Sequence, residues 1–353
     1  MSPPARGNAS GMPAILDWRQ ASAPDDLARQ AAQAIADGGT VALPSEAGYV
    51  LTADPTRLSN PNRPPGLPDD VTTTRLDGFF DPAEFFALAP PTAAERAMAY
   101  RLWPGPIGWV RGDAPHPAWV PSHNALASVL AIRGAPLAIF ELNGGEPVEI
   151  GPLEDAVALV VTDGPPRPGP ITLLQPNDSR WTIVRTGVMT ESAIRTALAR
   201  KIVFVCTGNT CRSPMAEGLF KRRLADRLGC GIDELPGRGF IIGSAGIAAY
   251  GSDPATAEAI TALRDHGVDL SAHRSRHASA DLIAKADDVI VMTRSHLASL
   301  VNNFPVLNGA LRMLCGTDGD LDDPIGGGPK VYRACAVTIR LHVDRLITEM
   351  GLP

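Results

Sequence analysis

Apolar and polar positions are most informative near residue 200, where they predict three successive elements. Residues 202–205 are an apolar and mostly β-branched run, which predicts a buried strand. The next eight residues are small or polar, and beyond them Met215, Leu219, Leu224 and Leu228 recur on one helical stripe. The pattern therefore predicts a strand, an eight-residue loop and a helix.

Patterns elsewhere in the chain favour two domains. A helical pattern over residues 191–200 leads straight into the strand, and the proline-rich stretches 61–68 and 164–170 predict surface loops. A chain of 353 residues is long enough for two domains, each with a core of its own. We therefore look for a domain boundary close to residue 200.

Composition changes sharply at that place. Residues 1–200 contain no lysine, no cysteine and 26 of the 33 prolines, whereas the remaining residues contain all five cysteines. The first part has 15 arginines against 21 acidic residues, a net charge of −6, and the second part has no net charge. The sequence thus predicts one domain over residues 1–199 and a second over residues 200–353.

Charge and cysteine content indicate where the protein acts. The net charge of −6 argues against a general binder of nucleic acid or of anionic membranes. No apolar run approaches the roughly 18 residues of a spanning helix, and the first residues lack the apolar stretch of a signal peptide. Five cysteines offer no paired framework of the secreted type. We expect a cytoplasmic protein with reduced thiols.

The loop between the predicted strand and helix has the composition of an anion cradle. Gly208 and Asn209 tolerate the left-handed backbone that turns successive N–H groups inward, and Pro214 suits the first helical position. Inward N–H groups at a helix N-terminus hold tetrahedral oxyanions, and Arg212 would close the ring with two hydrogen bonds. We call residues 206–213 the phosphate-binding loop.

Cys206 opens this loop and is the candidate nucleophile. The positive environment favours the thiolate, which would attack a phosphate to give a phosphocysteine that water hydrolyses. The hydroxyl of Ser213 would stabilise the sulfur as leaving group. Downstream, Asp322 and Asp323 precede Pro324 and a glycine-rich turn. Asp323, which directly precedes the proline, is the preferred general acid and base, with Asp322 as the alternative.

These motifs resemble the low-molecular-weight protein tyrosine phosphatases over about residues 200–350. Residues 205–217 resemble the active-site signature of that family. Further matching segments follow in the family's order, at 243–246, 268–276, 288–292 and 323–324. The resemblance implies an α/β domain with a Rossmann-like four-stranded parallel sheet flanked by helices, and neither a metal nor an organic cofactor.

The resemblance also implies roles for single residues and an activity. Cys206 would be the nucleophile, Arg212 the phosphate clamp and Ser213 the partner of the thiolate. Asn209 would organise the loop, and Asp323 would be the general acid. The phosphate would be bound along Thr207, Gly208, Asn209, Thr210 and Cys211. The expected activity is hydrolysis of phosphorylated protein side chains by a tyrosine phosphatase of the low-molecular-weight class.

Three positions bear on which side chain carries the phosphate. Tyrosine-directed members usually have aromatic residues after the Asp-Pro pair, where this chain has Ile325, although Tyr250 would supply a ring from another loop. Thr210 would present a hydroxyl to a guanidinium group, and its loop resembles bacterial members that act on phosphoarginine. Such pocket differences change specificity by only about 1–3 kcal/mol. Phosphotyrosine and phosphoarginine therefore both stay open.

Other cysteines leave two alternatives. Cys211 is either a small loop residue or the partner of Cys206 in a reversible disulfide. Arsenate reductases of the same family relay a disulfide through an additional cysteine pair. Cys315 and Cys335 are twenty residues apart and do not form the close pair expected. Arsenate reduction is therefore the less favoured activity.

The first domain resembles the YrdC-like threonylcarbamoyl-AMP synthase domain over about residues 20–190. Segments that carry the resemblance lie at 38–49, 102–106, 133–138, 144–147 and 181–187. The family's lysine-and-arginine motif cannot exist in a domain without lysine, and residues around Glu141 replace its Ser-Ala-Asn motif. We expect a retained α/β scaffold that binds a small ligand or a protein partner. An active synthase is less favoured, and the negative charge disfavours RNA binding.

Overall fold

The computed structural model describes residues 13–88, 90–112, 114–145, 156–165, 169–177, 180–304 and 311–352. The chain divides into two compact units, Met1–Ala197 and Leu198–Pro353. This division falls two residues before the boundary expected from the sequence. None of the helices in the described ranges is long and apolar enough to cross a membrane.

The first unit is built on one mixed sheet. Its strands are β1 Ala14–Asp17, β2 Val41–Ser45, β3 Gly48–Ala53, β4 Thr73–Gly78, β5 Ile107–Trp109, β6 Ala118–Trp119, β7 Leu137–Leu142, β8 Leu159–Thr162, β9 Thr172–Asn177 and β10 Arg180–Arg185. They are ordered β1-β8-β2-β3-β7-β4-β6-β5-β9-β10. Its helices are α1 Pro24–Ala36, α2 Pro82–Leu88, α3 Ala93–Leu102, α4 Asn124–Arg133 and α5 Glu191–Leu198.

Two helices cover the centre of this sheet. In α1 the buried residues Ala28, Ala31, Ala32 and Ile35 follow the spacing of a single helical face. Together with α4, this face packs against β2 and β8. Apolar strand residues such as Val41 are fully buried there. The expected α/β character of the first domain is present. The resemblance of this domain to the YrdC-like family stays a prediction.

The second unit alternates strands and helices. Its elements are β11 Arg200–Cys206, α6 Arg212–Leu228, β12 Phe240–Gly246, α7 Ala257–Arg264, α8 Ala280–Ala284, β13 Asp288–Val291, α9 Arg294–Asn303, β14 Leu311–Met313 and α10 Pro329–Glu349. The helix expected over residues 191–200 is α5. It ends at Leu198 because Arg200 already pairs with Phe240 of β12.

The four strands of this unit form the expected parallel sheet. Their order is β12-β11-β13-β14, and each neighbouring pair runs parallel. Because β11 is central, residues 202–205 are buried on both faces, as their apolar run predicts. Its last residue, Cys206, pairs in register with Gly246, the last residue of β12. The nucleophile candidate therefore lies at the carboxyl edge of the sheet, where loops of open α/β sheets form binding sites.

Candidate active site

The phosphate-binding loop joins the end of β11 to the start of α6. Asn209 has the expected left-handed backbone, with φ of 56°, whereas Gly208 does not. The helix begins at Arg212, two residues before Pro214, which is therefore its third residue rather than its first. The first N–H groups of a helix have no partner within it, so those of α6 extend the ring of donors in the loop.

Cys206 is buried at the base of this loop and contacts two hydrogen-bonding groups. Its Sγ atom lies 3.0 Å from Oγ of Ser213 and accepts the backbone N–H of Asn209 at 3.3 Å. The residue is 3% exposed. The structure thus brings together the cysteine and the serine that the sequence singled out, at a distance suited to stabilising a thiolate.

Asn209 orients the serine hydroxyl. Its side-chain oxygen accepts the backbone N–H of Arg276 at 3.0 Å, which fixes the orientation of the amide. Its Nδ2 then donates to Ser213 and to Ser244, both at 2.9 Å. Ser244 in turn donates to the carboxylate of Glu217 at 2.6 Å. Since Ser213 accepts a hydrogen from Asn209, its own hydrogen is directed to the Cys206 sulfur or to the carbonyl of the neighbouring strand.

Arg212 and Asp323 form an ion pair beside the loop. The Arg212 side chain is 6% exposed, and it donates to the carbonyl oxygen of Leu321 at 3.2 Å. It pairs with the carboxylate of Asp323, which also accepts the N–H of Ile325 at 3.2 Å. A phosphate in the loop would compete for the same guanidinium. Asp323, rather than the alternative Asp322, is thus the carboxylate held at the site.

His296 is a residue of the site that the sequence analysis missed. Its Nε2 atom lies 2.9 Å from Oγ1 of Thr207, and its Nδ1 atom lies 2.8 Å from Oγ1 of Thr293, the N-cap of α9. Burial, assisted by the charge of Arg212, lowers the pKa of His296 to about 4. The only feature of the sequence that could have pointed to this residue is its place three residues after a helix-capping threonine. A neutral imidazole therefore fixes the Thr207 hydroxyl, which lies 3.5 Å from Nη2 of Arg212.

The three expected specificity residues differ in their surroundings. Thr210 lies within the loop, and its carbonyl oxygen accepts the N–H of Thr256 at 3.0 Å. Ile325 is 68% exposed beside Asp323, and Tyr250 is 88% exposed. The tyrosine ring stacks on the imidazole of His277 with centroids 5.7 Å apart. Ile325 and Tyr250 are thus both accessible to a large substrate.

The remaining cysteines are buried or half-buried. All five cysteines are free. The Sγ atom of Cys211 lies 3.2 Å from the hydroxyl of Tyr332, whose pKa is raised to about 12 by burial and by this contact. Burial also raises the pKa of Cys335 to about 12 and raises that of Cys315. Protonated thiols are poor nucleophiles, which does not favour the disulfide relay of an arsenate reductase.

Two residues in or next to the segments that carry the resemblance of the first unit serve its core. Glu141 is buried in β7, pairs with Arg185 and accepts the N–H of Ile171 at 2.7 Å. Burial raises the pKa of this carboxyl. Trp103 packs in a cluster of aromatic rings, and its N–H bonds to a backbone carbonyl at 2.6 Å. Two residues of the matching segments, Glu146 and Pro147, lie outside the described residues.

Comparison with known proteins gives matches to the second unit. A family profile described as "Low molecular weight phosphotyrosine protein phosphatase" matches residues 201–351. The protein-arginine-phosphatase of Geobacillus stearothermophilus is 36% identical over 154 residues, which are 42% of this chain and 95% of that protein. A probable low molecular weight protein-tyrosine-phosphatase, EpsP of Ralstonia solanacearum, is 33% identical and covers 43% of this chain and 97% of its own length.

A solved structure of the arginine phosphatase YwlE from Geobacillus stearothermophilus also matches this part of the chain. It is 35% identical, covers 43% of this chain and 93% of its own, and superposes with a TM-score of 0.38.

Proposed function

Because the chain belongs, through residues 201–351, to the low molecular weight phosphotyrosine protein phosphatase family, we propose that it hydrolyses phosphorylated protein side chains through a phosphocysteine intermediate. It is a phosphoric monoester hydrolase by family. The proposal for its mechanism depends on one observation above all, the hydrogen-bonded triplet of Cys206, Ser213 and Asn209 at the base of the loop.

In the first step, the Cys206 sulfur forms a bond to phosphorus and the bond from phosphorus to the leaving oxygen or nitrogen breaks. Backbone N–H groups of the loop and the guanidinium of Arg212 stabilise the charge that develops on the phosphoryl oxygens. Phosphate binding displaces Asp323 from its pairing with Arg212. Freed from Arg212, the Asp323 carboxylate takes up a proton from solvent and gives it to the leaving atom, so that the leaving group departs protonated.

In the second step, water attacks phosphorus and the bond to sulfur breaks, which releases inorganic phosphate. Asp323, now a carboxylate, takes one proton from this water. The sulfur leaves as a thiolate and receives hydrogen bonds from the hydroxyl of Ser213 and the N–H of Asn209. Splitting the reaction into two displacements lets one loop stabilise both transition states.

For the substrate, phosphoarginine is favoured and phosphotyrosine is the second candidate. Thr210 offers a hydroxyl within the loop, and the exposed Ile325 takes the position where tyrosine-directed relatives have aromatic residues. Matched relatives include proteins named protein-arginine-phosphatase. The exposed ring of Tyr250 supports the tyrosine alternative, since it would stack on a phenyl group.

The experiment compares hydrolysis of phosphoarginine and phosphotyrosine peptides of the same sequence, with Cys206→Ser as the blank. Turnover by the parent and none by the variant is expected, with a higher kcat/KM for phosphoarginine. A threonine-to-isoleucine change, Thr210→Ile, should shift the preference towards phosphotyrosine. Equal turnover by the parent and the Cys206→Ser variant would refute the mechanism.

For residues 1–199 we propose a YrdC-like scaffold that binds a small ligand or a protein partner without synthase chemistry. Supporting this, the polar groups in the cleft after β2 are occupied with one another. The hydroxyl of Tyr49 donates to the carbonyl of Gly164 at 2.7 Å, and His123 lies 2.9 Å from Asp163. The test supplies ATP, bicarbonate and threonine to the full chain. Release of pyrophosphate that depends on threonine would contradict the proposal.

We propose a cytoplasmic location for the protein. The mechanism needs a free thiolate at Cys206, and the reducing cytosol keeps thiols in that form.

A further inference from the structure

A cavity of about 240 Å³ lies beside the edge of the sheet of the second unit. Its lining comes from β11, from β12, which is an edge strand, and from α8 with the segment before it. Within the described residues, none of the phosphate-binding loop lines it. We propose that this cavity binds a small organic acid, with the carboxylate on Arg276 and the apolar body against the strands and α8.

The guanidinium of Arg276 is anchored at one end and free at the other. Its Nε atom donates to the carbonyl oxygen of Ser244 at 2.8 Å, which fixes the side chain on β12. The two Nη groups have neither a hydrogen-bond acceptor nor an ion-pair partner in the described parts of the chain. A guanidinium held at Nε presents its Nη groups as a planar fork, and a carboxylate matches such a fork with two parallel hydrogen bonds.

Gly243 on β12 provides the space for this guanidinium. A Cβ atom on that residue would lie 2.3 Å from Nη2 of Arg276, so a side chain there would push the guanidinium away. The arginine head therefore rests against the backbone of β12, at the wall of the cavity. Because the Nε hydrogen bond and this packing fix the head before a ligand arrives, little side-chain freedom is lost on binding.

The charge of the lining selects an anion. Lys201 and Lys285 line the cavity together with Arg276, and Asp281 is the single acidic residue that does so within the described residues. Asp281 pairs with Lys285 at 2.7 Å, whereas Lys201 has no ion-pair partner in the described part of the chain. Two positive charges of the lining are therefore unbalanced, and they would stabilise a bound anion.

The rest of the lining favours an organic anion over an inorganic one. Val203, Ile241 and Leu282 contribute apolar surface from β11, β12 and α8. Ile241 and Leu282 are half-buried, so part of this surface faces water in the free protein. The apolar body of a ligand would cover it and release that water. The volume is just below the range that accommodates drug-sized ligands, which suits an acid of the size of benzoate.

This site is separate from the proposed phosphatase function. Arg276 is connected to the phosphate-binding loop through its backbone, whose N–H donates to the side chain of Asn209 at 3.0 Å. Its guanidinium has no part in the proposed hydrolysis, and neither have Lys201 and Lys285. Binding of an organic acid is therefore tested without measuring hydrolysis, and the result holds whether or not the chain hydrolyses phosphate.

Binding is tested on the full chain by calorimetric titration with sodium benzoate and sodium hexanoate. Saturable binding of at least one acid is expected, and the neutral amide of the same shape, benzamide or hexanamide, should bind about tenfold more weakly or worse. Arg212→Ala removes the clamp of the phosphate-binding loop and should leave the affinity unchanged. The proposal is overturned by absence of saturation with both acids up to about 20 mM, by equal affinity for the amide, or by loss of binding in Arg212→Ala.

Two variants test the lining itself. Gly243→Ala should weaken binding about tenfold or more, because its Cβ atom displaces the Arg276 guanidinium, which is the end of a flexible side chain. Lys201→Gln is milder and should weaken binding several-fold by removing one positive charge. Lys330→Gln is its matched control, since this lysine is exposed on α10 outside the lining. Circular dichroism confirms that the variants fold. Parent affinity in both Gly243→Ala and Lys201→Gln would contradict the site.

Discussion

Two uncharged side chains hold the reactive groups in place. Asn209 connects the serine beside Cys206 to Ser244 and to the backbone of Arg276, so its amide has a single orientation. On the other side of the loop, His296 holds the Thr207 hydroxyl near Arg212. Neutral groups suit this purpose, because an added charge would compete with a bound phosphate for Arg212.

His296 makes the stability of the protein depend on pH. The unfolded chain binds a proton at this imidazole below about pH 6.5, whereas the folded chain does so only near pH 4. The contribution of His296 to stability is therefore fully present above pH 6.5 and is lost as the pH drops towards 4, by up to about 3 kcal/mol. The positive charge of Arg212 lowers the pKa of His296 further, whereas the negative charges of Asp323 and Asp320 raise it.

Chemical denaturation between pH 4 and 7 measures this effect. The variant His296→Gln should show a smaller loss of unfolding free energy across that range than the parent. His277→Gln, at an exposed histidine, is the control and should retain the parent's slope. Parallel curves for the parent and His296→Gln would show that the imidazole does not carry the dependence.

Asp323 is predicted to act as general acid in the first step. Asp323→Asn should slow hydrolysis of aryl phosphates with poor leaving groups by about 10²–10⁴-fold, and much less for good leaving groups. The measurement is kcat/KM for a series of substituted phenyl phosphates. Asp322→Asn is the matched control, and a leaving-group dependence in that variant instead would transfer the role to Asp322.

At the scale of elements, the site depends on how closely two neighbouring strand ends approach. The N–H groups of Ile247 and Ala248, which follow β12, donate to the carbonyls of Cys206 and Thr207 at 3.0 and 2.9 Å. Gly246 is required there, because a Cβ atom on it would lie 2.5 Å from the Thr207 carbonyl oxygen. The turn after β12 therefore forms one wall of the phosphate-binding loop.

Gly246→Ala is accordingly expected to damage the site more than the fold. The added methyl would also lie 2.9 Å from the backbone nitrogen of Asn209. Moving backbone atoms costs more free energy than moving the end of a flexible side chain. We expect kcat/KM to fall by about tenfold or more, with a loss of about 1–3 kcal/mol in stability. Gly328→Ala is the control, since a Cβ atom there meets nothing within 4 Å. Unchanged kinetics in Gly246→Ala would contradict the prediction.

At the scale of the whole molecule, each unit has a core of its own. Residues such as Ile35 and Leu126 belong to the core of the first unit, and Phe204 and Ile339 to that of the second. Cores that share no residues favour separate unfolding reactions.

Scanning calorimetry of the full chain should therefore show two transitions. Orthovanadate, a phosphate analogue, should raise the midpoint of only the transition that belongs to residues 198–353. At a hundred times its dissociation constant it would add about 2.7 kcal/mol to that unit. The variant Arg212→Ala should lose this shift. A single transition that moves as a whole would contradict the independence of the units.

Much of the second unit could be predicted because its signals are local. The apolar run at 202–205 specified β11, and the helical stripe from Met215 specified α6. In both segments the spacing of the apolar residues alone indicates the element, without knowledge of the rest of the fold. The expected partners Cys206 and Ser213 are seven residues apart on this continuous segment, so the loop alone brings them within 3.0 Å.

Tertiary structure decided what depends on distant segments. The position of His296 beside Thr207 and the pairing of Asp323 with Arg212 depend on elements about 90 and 110 residues from the loop. The sequence by itself specified the loop between β11 and α6 and the reaction class of the family, and it predicts Cys206 as the nucleophile, because these follow from short-range spacing. Only the tertiary structure decided which neutral and acidic side chains surround the phosphate-binding loop, because these side chains come from strand ends and helices that are distant in sequence.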